Sequence, residues 1–238
     1  MLHWLYPMTC RLCGEAATTA LCPDCLAKLP RVPRPICLYC GAPVAGDLAD
    51  AYHCHACKSK PRPFELARSA LLTADSTMPL IHELKYKGAS YLGAALSPAL
   101  AELWQATPEL AAYKQAAIVP VPLSRLHMQR RGYNQAEELA APLAKKLGLP
   151  MAYPLQRVDT QADSQTRLSA AERLRNARLA YKPKPEYANG KKQLPEYVVL
   201  VDDVYTTGAT VRACAAALKS LPGVKHVAVL TLLRVEKH

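Results

Sequence analysis

The chain has 238 residues, half of them hydrophobic, which suffices for one ordinary domain with a small additional module and excludes a wholly disordered protein. No segment approaches the roughly 18 consecutive apolar residues of a membrane helix, and the first residues lack the basic start of a secretion signal, so we expect no membrane insertion and a cytoplasmic location. The formal net charge is +11, and residues 118–195 hold 14 basic against 6 acidic groups. This excess predicts an anionic partner, either phosphates on a small substrate or a nucleic-acid backbone, with a solubilising surface as the alternative.

Eight of the nine cysteines form four C-x-x-C pairs: Cys10, Cys13, Cys22, Cys25, Cys37, Cys40, Cys54 and Cys57. Two thiolate pairs at this spacing complete a tetrahedral zinc site, whereas a reducing cytoplasm disfavours disulfides. The pairs also repeat, because each half has the form C-x-x-C-G, a loop, and a second C-x-x-C. We therefore predict two structural zinc ions, one bound by the first four cysteines and one by the last four. A cross-braced pairing, in which the first pair joins the third, and a smaller number of ions are the alternatives.

A proline-rich passage, Lys58-Ser-Lys-Pro-Arg-Pro63, follows the last cysteine pair. Residues that precede a proline favour extended backbone, so the passage predicts a linker. We place the domain boundary there, with a cysteine-rich zinc-binding module over residues 1–61 and a larger domain over residues 62–238.

The larger domain alternates predicted strands with predicted helices. Strands are expected at 66–73, 116–121, 197–201 and 226–233, and helices at 78–87, 93–105, 134–147 and 209–220. This alternation predicts an α/β fold with a parallel sheet flanked by helices. Cys214, in the alanine-rich last helix, is expected to be a small buried side chain. Residues 157–192 are polar and basic, with one helical piece predicted at 169–179.

The strongest chemical signal follows the strand at 197–201. Asp202 and Asp203 come directly after it, and a short loop then opens the next helix with Thr206, Thr207, Gly208, Ala209 and Thr210. Ligands bind beyond the carboxyl ends of strands in open α/β sheets, and a helix amino terminus offers free N–H groups to a phosphate. Carboxylates beside such a site suit ribose hydroxyls, so the segment predicts a clamp for a ribose 5-phosphate group. A helix cap formed by Asp203 or Thr206, and the acidic pair of a receiver-type phosphoacceptor, are the alternatives.

The segment 198–210 resembles the signature of type I phosphoribosyltransferases, and nearly the whole chain resembles the ComF family, which is associated with natural DNA uptake. Besides that segment and the cysteine pairs, the resemblance rests on Leu84-Lys-Tyr-Lys-Gly88, Val119-Pro-Val-Pro122, Arg130-Arg-Gly-Tyr-Asn-Gln135, and the spaced residues Arg157, Thr160, Gln165, Leu168, Arg173 and Asn176. Tyr133 and Tyr181 stand where the family usually has phenylalanine, and both keep an aromatic ring.

The resemblance implies a phosphoribosyltransferase-like domain that binds phosphoribosyl pyrophosphate with magnesium, joined to an amino-terminal double zinc ribbon. It implies that Asp202 and Asp203 meet the ribose hydroxyls and that the loop Thr206–Thr210 holds the 5-phosphate.

The resemblance also implies cations for the pyrophosphate group. The loop after Val121 would approach it, and the candidate cations are Arg125, Arg130 and Arg131. Basic residues in 157–178 would close over the site. The candidate catalytic residues are therefore Asp202, Asp203, Arg130 and Arg131. Two further cations, Lys85 and Lys87, either reach phosphate or only flank a helix.

Two functions follow as hypotheses. The first is a phosphoribosyltransferase with an unidentified acceptor that supports DNA uptake, together with competence or DNA-processing proteins. The second is a non-catalytic adaptor that binds single-stranded DNA along the basic stretch 118–195 and keeps the sugar-phosphate pocket. In that adaptor, three tyrosines are expected to stack on bases: Tyr133, Tyr153 and Tyr181.

Overall fold

The computed structural model describes residues 8–44, 52–58, 63–158 and 180–235. Four of its strands form a parallel sheet in the order β1-β6-β5-β2, and the other two form a small antiparallel ribbon. The strands are β1 (Leu66–Leu72), β2 (Ala117–Pro120), β3 (Leu155–Arg157), β4 (Tyr181–Pro183), β5 (Tyr197–Tyr205) and β6 (His226–Arg234).

Helices cover both faces of the parallel sheet. They are α1 (Pro23–Ala27), α2 (His55–Lys58), α3 (Met78–Tyr86), α4 (Tyr91–Gln105), α5 (Arg125–Arg131), α6 (Gln135–Leu147), α7 (Pro185–Ala188) and α8 (Ala209–Lys219), with a 3-10 helix at Pro108–Tyr113. Within the described ranges, no helix combines the length and the apolar character that crossing a bilayer requires. The α/β fold with a parallel sheet flanked by helices is therefore confirmed.

Alternate residues of β5 enter two different hydrophobic layers, as the two-residue period of a strand requires. Val199 and Val201 pack in the layer that contains α4 and α6, whereas Val198 and Leu200 pack in the layer that contains α8. All four side chains are completely buried, which explains the nearly continuous apolar sequence of this strand. The same alternation decides which way the acidic residues of β5 point.

The four predicted strands and the four predicted helices that fall within the described residues of the larger domain are present, with end positions that differ by a few residues. Helix α6 ends at Gly148, which takes a left-handed φ of 67° and so stops the helix where the sequence predicts. Cys214 is fully buried, as expected. The sequence did not predict α5 or the β3–β4 ribbon, and the helical piece predicted at 169–179 lies outside the described residues.

The cysteine-rich segment packs directly against the edge strand β1. The backbone N–H of Ala67 donates to the carbonyl of Tyr39 (2.7 Å), and that of Leu72 donates to the carbonyl of Pro30 (2.9 Å). Arg31 also forms an antiparallel bridge with Leu71. These contacts cover a sheet edge that would otherwise present unpaired backbone groups. Cysteines of this segment consequently belong to the same hydrophobic clusters as the sheet.

Candidate functional site

The two acidic residues lie within β5 and not after it. The strand continues to Tyr205, and β6 stays paired with it as far as Arg234. The prediction that the strand ends at residue 201 was therefore wrong, because the partner strand remains available for hydrogen bonding. Since successive side chains of a strand point to opposite faces, Asp202 and Asp203 diverge.

Asp203 points toward α3 and pairs there with Lys85. The distance from Lys85 Nζ to Asp203 Oδ2 is 2.6 Å, and the carboxylate is almost inaccessible to solvent. The sequence left open whether Lys85 has a role, and the structure assigns it to the acidic strand end. Lys87 instead lies 3.8 Å from Glu83 at the helix surface. The site thus contains a cation that lies more than one hundred residues from its partner in the sequence.

Asp202 points to the other layer, toward Cys214 of α8 and Tyr181 of β4. Its Oδ1 accepts a hydrogen bond from the backbone N–H of Asp203 at 2.9 Å. Burial raises the pKa of Asp202 well above its usual range, and the neighbouring charge of Asp203 raises it further. Both adjacent carboxyl groups are buried, but Asp202 favours its neutral form, whereas Asp203 is paired with an ammonium group.

The threonine-rich turn lies between β5 and α8. Thr206 and Thr207 are exposed, and the hydroxyl of Thr207 accepts a hydrogen bond from the backbone N–H of Ala209 at 3.3 Å. Gly208 precedes the helix with a left-handed φ of 74°. Neither Asp203 nor Thr206 caps α8 in this arrangement, so the alternative of a simple helix cap is wrong for these two residues.

Two side chains lie under this turn that the sequence did not single out. Arg212, in the first turn of α8, donates from Nη1 to the carbonyl of Thr207 at 3.2 Å. The hydroxyl of Tyr205 and the same Nη1 occupy the space that a side chain at Gly208 would need. A glycine is therefore required at this position both for its backbone angle and for its close packing.

The three candidate arginines all lie on α5, which follows β2. That strand runs beside β5, with the N–H of Val121 donating to the carbonyl of Val201 at 2.9 Å, so α5 begins near the acidic strand end. Arg131 donates to Gln135 Oε1 at 2.8 Å and stacks on the Tyr86 ring, with Cζ 5.0 Å from the centroid. Arg125 and Arg130 are exposed to solvent. Among the described residues, no hydrogen bond or ion pair joins these three arginines to residues 206–210.

The tyrosines expected to stack on bases differ in exposure. Tyr181 is buried, so the prediction is wrong for it. Tyr133 is partly buried and donates its hydroxyl to the carbonyl of Leu84 at 2.5 Å. Tyr153 is exposed, and its hydroxyl donates to Glu137 Oε1 at 2.6 Å.

The cysteines meet in two groups of four, in the sequential order that the repeat predicts. We call them the first tetrad (Cys10, Cys13, Cys22, Cys25) and the second tetrad (Cys37, Cys40, Cys54, Cys57). The sulfur atoms of Cys13 and Cys22 are 3.9 Å apart, and those of Cys40 and Cys54 are 3.7 Å apart. A tetrahedron with zinc–sulfur bonds of about 2.3 Å places its sulfurs about 3.8 Å apart. Both tetrads therefore fit structural zinc.

Backbone N–H groups point at the sulfurs of both tetrads. The N–H of Cys22 donates to Cys10 Sγ at 3.4 Å, and the N–H of Cys54 donates to Cys37 Sγ at 3.3 Å. Such donors stabilise thiolates and orient them toward a metal ion. With four sulfur ligands each, the tetrads leave no coordination position for a substrate, which indicates a structural role.

The fold and its sites together define a class of α/β protein with two cysteine tetrads that fit structural zinc. In this class, an acidic pair and a threonine-rich turn lie at the carboxyl end of a central strand of the parallel sheet. The family model of the double zinc ribbon domain matches residues 1–61. "DNA utilization protein YhgH" of Escherichia coli (strain K12) is 31% identical over 222 residues, covering 91% of this chain and 90% of that protein. "Competence protein ComFC" of Bacillus subtilis (strain 168) is 28% identical over 218 residues, covering 90% and 84%. "Competence protein F" of Haemophilus influenzae (strain ATCC 51907 / DSM 11121 / KW20 / Rd) is 37% identical over 119 residues, half of each chain. The chain belongs to the ComF family.

Proposed function

We propose that this protein binds phosphoribosyl pyrophosphate with magnesium at the carboxyl end of β5 and that this binding supports DNA uptake in the cytoplasm. The observation that carries the proposal is the junction at residues 202–210, where an acidic pair is followed by a glycine turn and a helix amino terminus. The names of the relatives, a DNA utilization protein and two competence proteins, support the role in DNA uptake.

The turn has the properties of a phosphate site. The first backbone N–H groups of α8 have no acceptor within the helix, and the helix dipole favours an anion there. Thr206 and Thr207 are exposed and add hydroxyl donors. We assign the 5-phosphate of the donor to this turn, from Thr206 to Thr210.

Asp203 suits the sugar next to that phosphate. A carboxylate accepts hydrogen bonds from a vicinal diol, and Asp203 is held at the strand end by Lys85. The ammonium group of Lys85 adds a positive charge at this strand end, where we assign an anionic donor. Asp202 and the arginines of α5, Arg130 and Arg131, complete the set that we assign to the reaction.

Magnesium fits this site as a partner of the pyrophosphate. Among the described residues, the only clusters of three or more metal-ligating side chains are the two cysteine tetrads. A magnesium ion here would therefore be held mainly by phosphate oxygens and water, as is usual for this ion. When bound, the magnesium ion would neutralise negative charge on the leaving pyrophosphate. We assign binding and orientation of the sugar to the chain itself.

Calorimetric titration of the donor with magnesium tests this assignment. We expect Asp203→Asn to weaken binding by about 10-fold to 100-fold, because a charged hydrogen-bond acceptor contributes about 1.5–3 kcal/mol. Asp202→Asn is expected to weaken binding less than Asp203→Asn and to leave the fold at least as stable, because burial raises the pKa of Asp202 and the amide resembles the neutral carboxyl group that burial favours. Loss of affinity in this variant is then not a consequence of unfolding.

The matched control is Asp75→Asn. Asp75 is an exposed carboxylate in the loop that follows β1, at the same edge of the sheet, and its substitution should leave donor affinity unchanged. Unaltered affinity in both Asp202→Asn and Asp203→Asn would refute the assignment. Release of pyrophosphate, followed with and without a panel of nucleobases and nucleic acids, then decides whether the protein is a transferase.

A second candidate function is binding of single-stranded DNA, and one surface feature favours it. Tyr86 is 65% exposed at the end of α3, and Arg131 stacks against its ring. Leu126 and Met128 are exposed on the neighbouring helix α5. An aromatic ring with a stacked cation is a common platform for a nucleic-acid base.

Binding to a fluorescent single-stranded oligonucleotide across a salt series tests this second function. We expect affinity that falls steeply with salt and a loss of about 1–3 kcal/mol for Tyr86→Ala. Met78→Ala, which removes an exposed apolar side chain without a ring from the same helix α3, serves as the control. Binding that is absent at low salt, or insensitive to Tyr86→Ala, would exclude this surface.

A further inference from the structure

Arg212 connects the second tetrad with the threonine-rich turn. Its Nη2 lies 3.9 Å from Cys57 Sγ, while its Nη1 donates to the carbonyl of Thr207 at 3.2 Å. The residue is only 8% exposed. One buried guanidinium group therefore touches a zinc ligand on one side and the proposed phosphate turn on the other.

The turn packs closely on this guanidinium group. A Cβ atom added at Gly208 would lie 2.6 Å from Arg212 Nη1, so even a methyl group has no room between them. Aromatic rings of Tyr39 and Phe64 flank the guanidinium group, with centroids 6.0 and 5.8 Å from Cζ. The guanidinium group of Arg212 is therefore in close contact with the turn.

The second tetrad supplies the negative charge that Arg212 needs. Four thiolates around one zinc ion carry a net charge of about −2. Arg234, also buried, donates to the carbonyl of Cys40 at 2.7 Å and lies 3.6 Å from its sulfur. In the described part of the chain, neither arginine lies within ion-pair distance of a carboxylate. A buried cation without a counter-charge is costly, so a metal-loaded tetrad would stabilise both arginines in their buried positions.

We propose that Arg212 is a positioning residue that couples zinc in the second tetrad to anion binding at the 206–210 turn. The proposal rests on the function proposed above. With the second tetrad loaded, Arg212 is held against the Thr207 carbonyl and the turn is preorganised. Coupling between two binding equilibria is reciprocal, so the bound donor must also retain zinc in the second tetrad. The first tetrad has no such connection in the described residues and serves as an internal reference.

Zinc transfer to a chelating dye measures this coupling on the full-length protein. Zinc is released from both tetrads. Cys13→Ser removes a ligand of the first tetrad, so the phase of zinc release that remains in this variant belongs to the second tetrad. With phosphoribosyl pyrophosphate and excess magnesium, we expect release from the second tetrad to slow by about tenfold and release from the first to stay unchanged. Direct extraction of zinc by the donor would instead accelerate release from both.

Two substitutions assign the coupling to Arg212. In Arg212→Met the donor should bind more weakly and should no longer slow release from the second tetrad, and Arg212→Lys should restore part of the effect. Arg234→Lys is the control, because Arg234 contacts the same tetrad and reaches the turn only through the ring of Tyr205, with no hydrogen bond to it. It should accelerate zinc release and keep the effect of the donor.

The outcomes separate the two proposals. If calorimetry shows no donor binding to the native protein, the proposed function fails and the coupling fails with it. If the donor binds but zinc release from the second tetrad does not change, the coupling alone is overturned. The coupling through Arg212 is likewise overturned if the donor slows release equally in the native protein and in Arg212→Met.

Discussion

The first and second tetrads have the same chemistry but different surroundings. In the first, Cys13 is exposed and Cys22 and Cys25 are half-buried, whereas three of the four cysteines of the second are buried. Near the first tetrad, the side chain of Arg11 lies on the surface and contacts Tyr91. Near the second, Arg212 and Arg234 are buried and contact the sulfurs themselves.

This difference shows how a repeated motif acquires separate tasks. The first tetrad fixes its own loop against α3 and α4, and the second lies in the core between β1 and the start of α8. Spacing of the cysteines gives both the same metal preference, and packing decides which of them affects the rest of the molecule. The second tetrad is therefore expected to govern stability and ligand binding, and the first mainly local order.

Removing one ligand from each tetrad is expected to produce the largest difference. Cys40→Ser should lose the second zinc ion and destabilise the fold by about 3–5 kcal/mol, because Arg212 and Arg234 then remain buried without a counter-charge. Cys13→Ser should lose the first zinc ion and retain a cooperative unfolding transition of the sheet. Metal content by mass spectrometry and guanidinium denaturation measure both, and equal losses in the two variants would contradict the comparison.

Replacing an arginine beside each tetrad should give a smaller difference. Arg234→Met leaves the carbonyl of Cys40 without its donor in a buried position, at an expected cost of about 2–3 kcal/mol. Arg11→Met removes an exposed contact with Tyr91 and a 3.8 Å approach to Glu83, at an expected cost of about 0.5 kcal/mol or less. Chemical denaturation compares them. A loss in Arg11→Met as large as that in Arg234→Met would remove the distinction.

The glycine that follows the first C-x-x-C pair of each tetrad should give the smallest difference in stability. Gly14 and Gly41 both have positive φ angles, 78° and 68°, so alanine costs about 1 kcal/mol at either position. A Cβ at Gly14 meets nothing within 4 Å, but one at Gly41 lies 2.6 Å from the carbonyl oxygen of Ala67. We expect Gly41→Ala to cost a further 1–2 kcal/mol, roughly, from this clash. Equal thermal stability of Gly14→Ala and Gly41→Ala would show that the loop containing Gly41 is free to move away from β1.

The sequence predicted those features that depend on local spacing. The C-x-x-C repeat determined the sequential grouping of the cysteines, and the apolar run of residues 197–201 identified a strand buried on both faces. The end of that strand was wrong because its length depends on pairing with β6, whose register is set by residues about thirty positions further on.

The sequence could not predict which residues that are distant in the chain contact each other in the fold. Lys85 and Asp203 are far apart in the chain and meet only because α3 packs beside the end of β5. Arg212 and Arg234 resemble ordinary surface charges in the sequence, since nothing in their own segments shows that a four-cysteine site covers them. A residue's neighbours in the fold, and not its neighbours in the chain, decide such roles.

Amide hydrogen exchange of the full-length protein, with and without phosphoribosyl pyrophosphate and magnesium, shows whether the donor binds at the 206–210 turn. We expect slower exchange in peptides that cover residues 204–212, where N–H groups at the start of α8 become engaged by phosphate. Peptides from β1, at 66–72, should be unaffected. Exchange across 204–212 that stays unchanged at millimolar donor would contradict the claim that this turn holds the donor.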